Sequence, residues 1–436
     1  MKSSSRYVPK RKAKIKWKLI SPLLVLLLLL SYIIVALAFP KPIEVKESKF
    51  KICDYNLVKA QNVLSKVSYP ETIDMQEHLF YGETLNLFHS AYNISTADYF
   101  IGKSIILRNM CNGKEWMDVL ERGIDGQIPL EQLEEGFYEV YITDNLLEKR
   151  VFSNSIFYDT FYTVRRNGFA NRIDVVADPD LIETPYTGKS ILDKPYLFIK
   201  VSQVSEVPSD VVDVFIDPAH STNNGYVDDF GEDTTLGKEA DILLAMATKL
   251  KSDLESYGLN VLLARTNSSI VNTYGVGGRL DTAYASHAKY YISLDFRNST
   301  ISSNRGSSIV HSHYSSNVFA TAIFKSYIKS TGLVSITGSE GNIDGVIRSN
   351  LIDNLDAYFY IREAGGKILN AGIFSESSKT NASFAKDNIF GMQAVALDLL
   401  YVSNPTDFAI LKNNQDTLVE NITLGFVNYL KVSQQE

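Results

Sequence analysis

The hydrophobic period of this chain changes near residue 209, and that change limits it to two differently built halves. From about 45 to 208, apolar and polar residues alternate over short segments broken by turn residues. Phe137-Tyr138-Glu139-Val140-Tyr141-Ile142-Thr143, the pair Asp144-Asn145 and the run Leu146 to Phe152 form a hairpin pattern, since strand side chains repeat every two residues and a short polar turn reverses the chain. Further strands are expected at Leu85 to Phe88, Ser104 to Leu107, Phe157 to Val164, Ile173 to Ala177 and Tyr196 to Val201. Many short strands with few helical stretches read as a β-rich, sandwich-like module. Val204 to Asp210 reads as a linker, and beyond it strand runs alternate with helical ones. Val211 to Ile216, Val261 to Ala264, Tyr290 to Leu294 and Val395 to Tyr401 suit strands; Ala240 to Tyr257, Arg279 to Ala288, Val318 to Ile328 and a closing segment near Leu418 to Leu430 suit helices. Such alternation predicts an α/β domain over 211–432, with a mostly parallel sheet and flanking helices.

With 436 residues, 45% of them apolar and 21% charged, the chain has ample material for two or three packed cores, which excludes a disordered adaptor. The formal charge of -7 conceals an asymmetry, because the first eighteen positions hold eight basic residues and no acidic one. Leu19 to Phe39 follow as 21 residues without a charge, long enough for a helix to cross a bilayer. Positive charge ahead of such a span stays cytoplasmic. The reading is a basic cytoplasmic arm over 1–18, a transmembrane signal-anchor over 19–39 and an extracytoplasmic remainder, a single-pass protein of the cell membrane. Ala36-Leu37-Ala38 also resembles a cleavage site, and cleavage near Ala38 would give a secreted protein instead; the length of the apolar run favours the retained anchor.

Cys53 and Cys111 both follow the span, so an oxidising compartment permits one bridge between them; two separate thiols is the other reading. There is no cysteine-rich metal motif and no glycine-rich phosphate loop, and the outward part is acidic, all of which speaks against nucleotide and nucleic-acid binding.

In open α/β sheets functional groups gather beyond the carboxyl ends of strands, where loops converge on one crevice. His220 follows Val214-Phe215-Ile216-Asp217-Pro218-Ala219, Asp295 follows Ile292-Ser293-Leu294, and Asp398 lies in Val395 to Tyr401. Glu239 sits at the start of the first helix. One imidazole and three carboxylates converging there suit a divalent cation, because zinc accepts both ligand types and catalytic sites leave one position open.

The order Asp217-Pro218-Ala219-His220, Gly237-Lys238-Glu239, Arg265, Arg279, Ile292-Ser293-Leu294-Asp295-Phe296-Arg297-Asn298 and Leu397 to Asn404 resembles the catalytic domain of zinc-dependent N-acetylmuramoyl-L-alanine amidases over roughly 211–432. In that family the first histidine, the helix-start glutamate and the histidine of a Ser-Ile-His-x-Asn run bind zinc, and a glutamate on the last strand is the acid/base. The resemblance therefore implies zinc held by His220, Glu239 and Asp295, with Asp398 as proton carrier and peptidoglycan as substrate. Two positions depart from the pattern. Asp295 stands at the second histidine and makes the ligand set one charge more negative, so its ion is a weaker Lewis acid. Asp398 stands at the glutamate and draws the carboxylate back by roughly 1 Å, a displacement that can cost on the order of 100-fold.

Ile361-Arg362-Glu363-Ala364-Gly365-Gly366 resembles a segment close to the cleft in some of these amidases. Glu363 there can supply a carboxylate, and Arg362 can pair with an anionic peptide or lactyl group; a structural Arg/Glu ion pair is the alternative. His311 and His313 are expected to alternate on a strand, as solvated residues or as a replacement ligand. Asp217 and Asn298 are expected to position loops, and Arg265 and Arg279 to form ion pairs. Two functions stay open: a membrane-anchored wall amidase, and a catalytically inactive homologue acting as a peptidoglycan- or partner-binding scaffold. A protein activator or division partner is compatible with either.

Overall fold

Val214-Phe215-Ile216 is apolar towards both faces, which suits a strand covered by helices on two sides. In the computed structural model it forms β1 (Val214–Pro218), an inner strand of a six-stranded sheet. The structure describes residues 50–51, 71–75, 77–88, 102–119, 127–162, 170–183, 192–204, 211–223, 225–336, 345–352, 355–364, 367–370 and 392–431. The expected membrane span at 19–39 and most of the linker, 205–210, lie outside them. Among the described residues no helix is long and apolar enough to cross a membrane.

The sheet is completed by β2 (Val261–Leu263), β3 (Tyr290–Arg297), β4 (Ser308–His311), β5 (Val346–Arg348) and β6 (Gln393–Tyr401), in the spatial order β2-β1-β3-β6-β4-β5. The first four of that order run parallel, β4 is antiparallel to β6, and β5 is parallel to β4. The sheet is therefore mostly parallel, as the pattern predicted, and mixed only through the antiparallel pairing of β4 with β6. The reason is the short helix-free connection 298–307 into β4, since a parallel crossover takes a dozen or more residues.

Among the described residues five helices flank it: α1 (Glu239–Glu255), α2 (Arg279–Ala285), α3 (Val318–Tyr327), α4 (Phe359–Ala364) and α5 (Pro405–Leu430). Because successive strand side chains point to opposite faces, Val214, Ile216, Ile292 and Val395 pack with Leu243, Phe319 and Ile422 of α1, α3 and α5. Phe215, Tyr291 and Ala394 pack with Leu280 of α2 and Ile361 of α4 on the other face. Each such aliphatic side chain contributes about 2 kcal/mol by leaving water. Helix α5 begins well before Leu418. Asn404 accepts hydrogen bonds from the N–H groups of Thr406 and Asp407, and Pro405 takes the first position, where its missing N–H is harmless.

The N-terminal half holds an eight-stranded sheet and a four-stranded one. Ile105, Val140 and Ile173 of the larger meet Leu85, Leu87 and Ile128 of the smaller in one core, a two-layer arrangement of the expected kind. The hairpin of Gly136–Asp144 and Leu147–Ser153 turns at Asn145 and Leu146, with φ of 52 and 65. That is one residue later than the sequence suggested, because two left-handed residues match the twist of the flanking strands. Cys111 is half-buried and disulfide-bonded; Cys53, the chain's other cysteine, lies outside the described residues.

The small sheet is shared between the halves. Its strands Glu77–Tyr81, Thr84–Phe88 and Gln127–Pro129 come from the N-terminal half, and its edge strand Lys367–Asn370 comes from the region after α4. The turn Gly82-Glu83 meets the starts of β3 and β6. The Tyr290 hydroxyl donates to Glu83 Oε2 at 2.6 Å, and buried Lys289 is pushed down to about 8 by burial, against the charge of Glu83. Gly82 has φ +56, and a Cβ there would lie 2.4 Å from Gln393 Cβ and 2.8 Å from its Cα. Gly82→Val adds left-handed strain to a backbone clash, so urea denaturation is expected to show a loss of about 2 kcal/mol or more.

Candidate metal centre and cleft

His220 takes up a strained backbone so that its ring can face the sheet's carboxyl end. It and Ser221 have φ of 62 and 53, left-handed values that cost a non-glycine residue of order 1 kcal/mol or more each. The fully buried Arg279 holds this turn. Its Nη1 donates to Asp217 Oδ1 at 2.6 Å and to the Pro218 carbonyl at 3.0 Å, its Nη2 to the carbonyl of His220, and its Nε to that of Val271 at 2.7 Å. Tyr291 donates its hydroxyl to the other oxygen of Asp217. Asp217 thus positions the loop as expected, and Asn298 does likewise by donating to Glu232 Oε1 at 2.7 Å. Among the described residues Arg265 forms no ion pair: its Nη2 donates to the carbonyls of Ala219 at 3.0 Å and Ala240 at 2.7 Å. Burial, then the charge of Arg279, lowers its guanidinium to about 10.

Three ligand-type atoms meet above this turn. His220 Nε2 lies 3.6 Å from Glu239 Oε1 and 3.4 Å from Asp295 Oδ1, and the three residues form a group whose ligand atoms fall within 4.8 Å of one another. Glu239 is the first residue of α1, where the helix dipole favours an anion, and its Oε2 accepts from the N–H of Glu232 at 2.8 Å. On the far side of the ring, His220 Nδ1 sits 3.1 and 3.0 Å from the two oxygens of Asp229. A carboxylate on the second nitrogen fixes the imidazole's orientation and raises its basicity as a ligand. Gly231 closes the group: a Cβ there would lie 2.6 Å from Glu239 Oε2 and 2.9 Å from His220 Cδ2.

This donor set fits a divalent ion. Burial works against charge on His220, but hydrogen bonds to Asp295 and Glu239, the charge of Asp295 and the hydrogen bond to Asp229 outweigh it and raise the imidazole to about 11. Burial also raises the Asp295 carboxyl, against the hydrogen bond and charge of His220. The cluster attracts positive charge strongly, and a bound cation must displace the histidine proton.

Asp398 adjoins the group without joining it. It is the parallel-register partner of Asp295, but its Oδ2 accepts from Arg297 Nε at 3.0 Å and from Ser308 Oγ at 2.9 Å. Arg297 also donates to the Tyr401 hydroxyl at 3.2 Å, and its guanidinium lies 5.7 Å from that ring's centroid.

Residues 214–428 match the sequence model of a family described as N-acetylmuramoyl-L-alanine amidase. This segment belongs to that family. No curated protein matches the chain. Among solved structures, the catalytic domain of the amidase CwlV from Bacillus (Paenibacillus) polymyxa var. colistinus is 22% identical, with a TM-score of 0.36, covering 51% of this chain and 100% of that one. An N-acetylmuramoyl-L-alanine amidase from Clostridium difficile 630 is 18% identical, with a TM-score of 0.34 and coverage of 51% and 98%. The CwlD amidase of Clostridioides difficile, in complex with the GerS lipoprotein, is 17% identical, with a TM-score of 0.34 and coverage of 50% and 98%.

In the amidase domain Arg362 and Glu363 stand on α4 and form a wall beside the metal group rather than part of it. Arg362 Nε donates to Glu363 Oε1 at 3.1 Å, the ion pair given as the alternative. Burial raises the Glu363 carboxyl, opposed by Arg362. Tyr358, Phe359 and Tyr360 complete this wall, and Phe359 meets Tyr274 edge-on at 5.0 Å. The tyrosines' phenols are raised by burial, then by Asp398 and Asp295 at Tyr358 and by Asp217 and Asp295 at Tyr360. His311 supplies no ligand and is not solvated. It ends β4 opposite Val395, three residues from the Ser308 that pairs with Asp398. It is buried, and burial followed by the Arg348 charge holds its imidazole down to about 3. His313 lies beyond the strand, its N–H bonded to Asp356 Oδ1 at 2.8 Å.

Three working residues escaped the sequence reading: Asp229, Gly231 and Arg297. The signal for Arg297 is present, because the asparagine of Ser-Ile-His-x-Asn falls two residues after the histidine, at 297 rather than 298. Asp229→Ala is expected to weaken zinc binding by about 10- to 100-fold in isothermal titration calorimetry. Calorimetry in buffers of different ionisation enthalpy should record release of about one proton per ion. Because the His220 proton is held up to about 11, zinc affinity is expected to rise with pH through the neutral range.

Proposed function

We propose that this protein is a membrane-anchored, extracytoplasmic amidase that acts on peptidoglycan at the bond between the muramyl lactyl group and the first L-alanine. The observation that carries this reading is the His220, Glu239 and Asp295 group with its ring fixed by Asp229. Those three residues would hold a zinc ion, which supplies Lewis acidity to polarise the amide carbonyl. Glu239 and Asp295 neutralise the charge brought in, Asp229 keeps His220 Nε2 turned inward, and the α4 wall screens the amide from water. Asp398 serves the leaving amine as proton carrier. The anchor at 19–39 keeps the domain at the wall, a reading that rests on the charge-free run and the basic arm before it.

A second reading is favoured by one specific contact. Asp398 Oδ2 accepts from both Arg297 and Ser308, so the oxygen that should exchange a proton is already engaged, which suits a domain that holds wall fragments without turning them over. Metal analysis of the purified ectodomain and a peptidoglycan hydrolysis assay separate the two. Zinc-dependent release of stem peptides by the wild type is expected on the first reading; lack of stoichiometric metal would overturn it. Metal uptake without release, and activity only after Asp295→His and Asp398→Glu together, would establish the second.

A further inference from the structure

Helix α4 is held against the sheet by buried Ile361 and Ala364, and it needs further support. Helix α4 is six residues long, too short to be stable alone, and its last carbonyls lack intrahelical partners. One of them is served from a part of the chain 280 residues away: the buried Tyr81 hydroxyl donates to the Ile361 carbonyl at 2.6 Å. The strand that ends at Tyr81 also pairs with Lys367–Asn370, directly after α4. The N-terminal hairpin thus grips α4 at its last turn and again just beyond it. Phe359 of α4 meets Tyr274 edge-on, and its Tyr360 and the preceding Tyr358 lie within electrostatic reach of the carboxylates of the site.

We propose that Tyr81 is a positioning residue of the cleft: its hydroxyl, delivered by the N-terminal module, fixes α4 and with it the aromatic and charged wall facing the metal ligands. The β-module is then part of the binding site as well as a neighbour of it. The ligand-type residues His220, Glu239 and Asp295 stand on the turn after β1, on α1 and on β3, none of which Tyr81 touches through this bond, so metal uptake should be independent of it.

The test compares two full-length variants. Tyr81→Phe deletes the hydroxyl that reaches α4. Asn86→Ala deletes a bond of the same hairpin that does not involve α4, Asn86 Nδ2 to the Tyr314 carbonyl at 2.8 Å, and serves as a control for general loosening. Hydrogen exchange is expected to rise at least 10-fold over 358–364 in Tyr81→Phe and to stay near wild type there in Asn86→Ala, with zinc affinity within 2-fold of wild type in both. Equal loosening of 358–364 by the two variants, or protection unchanged in Tyr81→Phe, would overturn the proposal. A second arm rests on the peptidoglycan reading: Tyr81→Phe should weaken binding of a disaccharide-peptide monomer from purified peptidoglycan about 5-fold or more, and Asn86→Ala should not. Wild type that binds no such monomer sinks that reading alone, because hydrogen exchange still decides the role of Tyr81. Wild-type binding that Tyr81→Phe leaves intact counts against Tyr81.

Discussion

The buried pair of Arg279 and Asp217 is the interaction on which the site depends. A guanidinium out of water is costly unless its donors are used, and here they are spent on Asp217 and on the carbonyls of Pro218, His220 and Val271. The Pro218 and His220 carbonyls belong to a turn that would not hold left-handed angles at His220 and Ser221 unaided. Charge burial is thereby converted into backbone geometry, and that geometry aims the His220 ring at Glu239 and Asp295. Removal of either partner would leave an uncompensated buried charge as well as an untethered histidine.

Around that fixed ring the departures from the family pattern offset one another. Asp295 in place of a histidine adds a negative charge, while Arg297 at the motif's asparagine position adds a positive one. Arg297 pairs with Asp398, on the strand beside it. The total charge of the site is therefore what the unaltered motif would carry, although its distribution differs: more anion beside His220 and Glu239, and a carboxylate at Asp398 that is already paired.

The elements that were legible in the sequence are those whose signal is local. The β1, α1 and β3 runs carry their own periodicity, and His220, Glu239 and Asp295 meet because they follow β1, begin α1 and lie near the carboxyl end of β3. The start of α5 was hidden by the polar stretch around Lys412 to Asp416, and its cap at Asn404 shows only in the hydrogen bonds. The direction of β4 depends on which neighbour it finds, which no window of residues contains. Asp229 and Gly231 act through a loop with no period, and their roles emerge only when the loop folds back over His220.

The edge strand contributed by Lys367–Asn370 also bears on how the chain reaches this state. As the polypeptide is made, the Glu77–Tyr81 strand must wait for a partner nearly three hundred residues behind it, with one edge open to whatever else can pair. Closure of so long a loop is slow, and an open strand edge invites association with other chains meanwhile. The same sheet that joins the halves in the finished protein therefore makes the early intermediate the vulnerable one, with its last strand supplied only after most of the molecule has been synthesised.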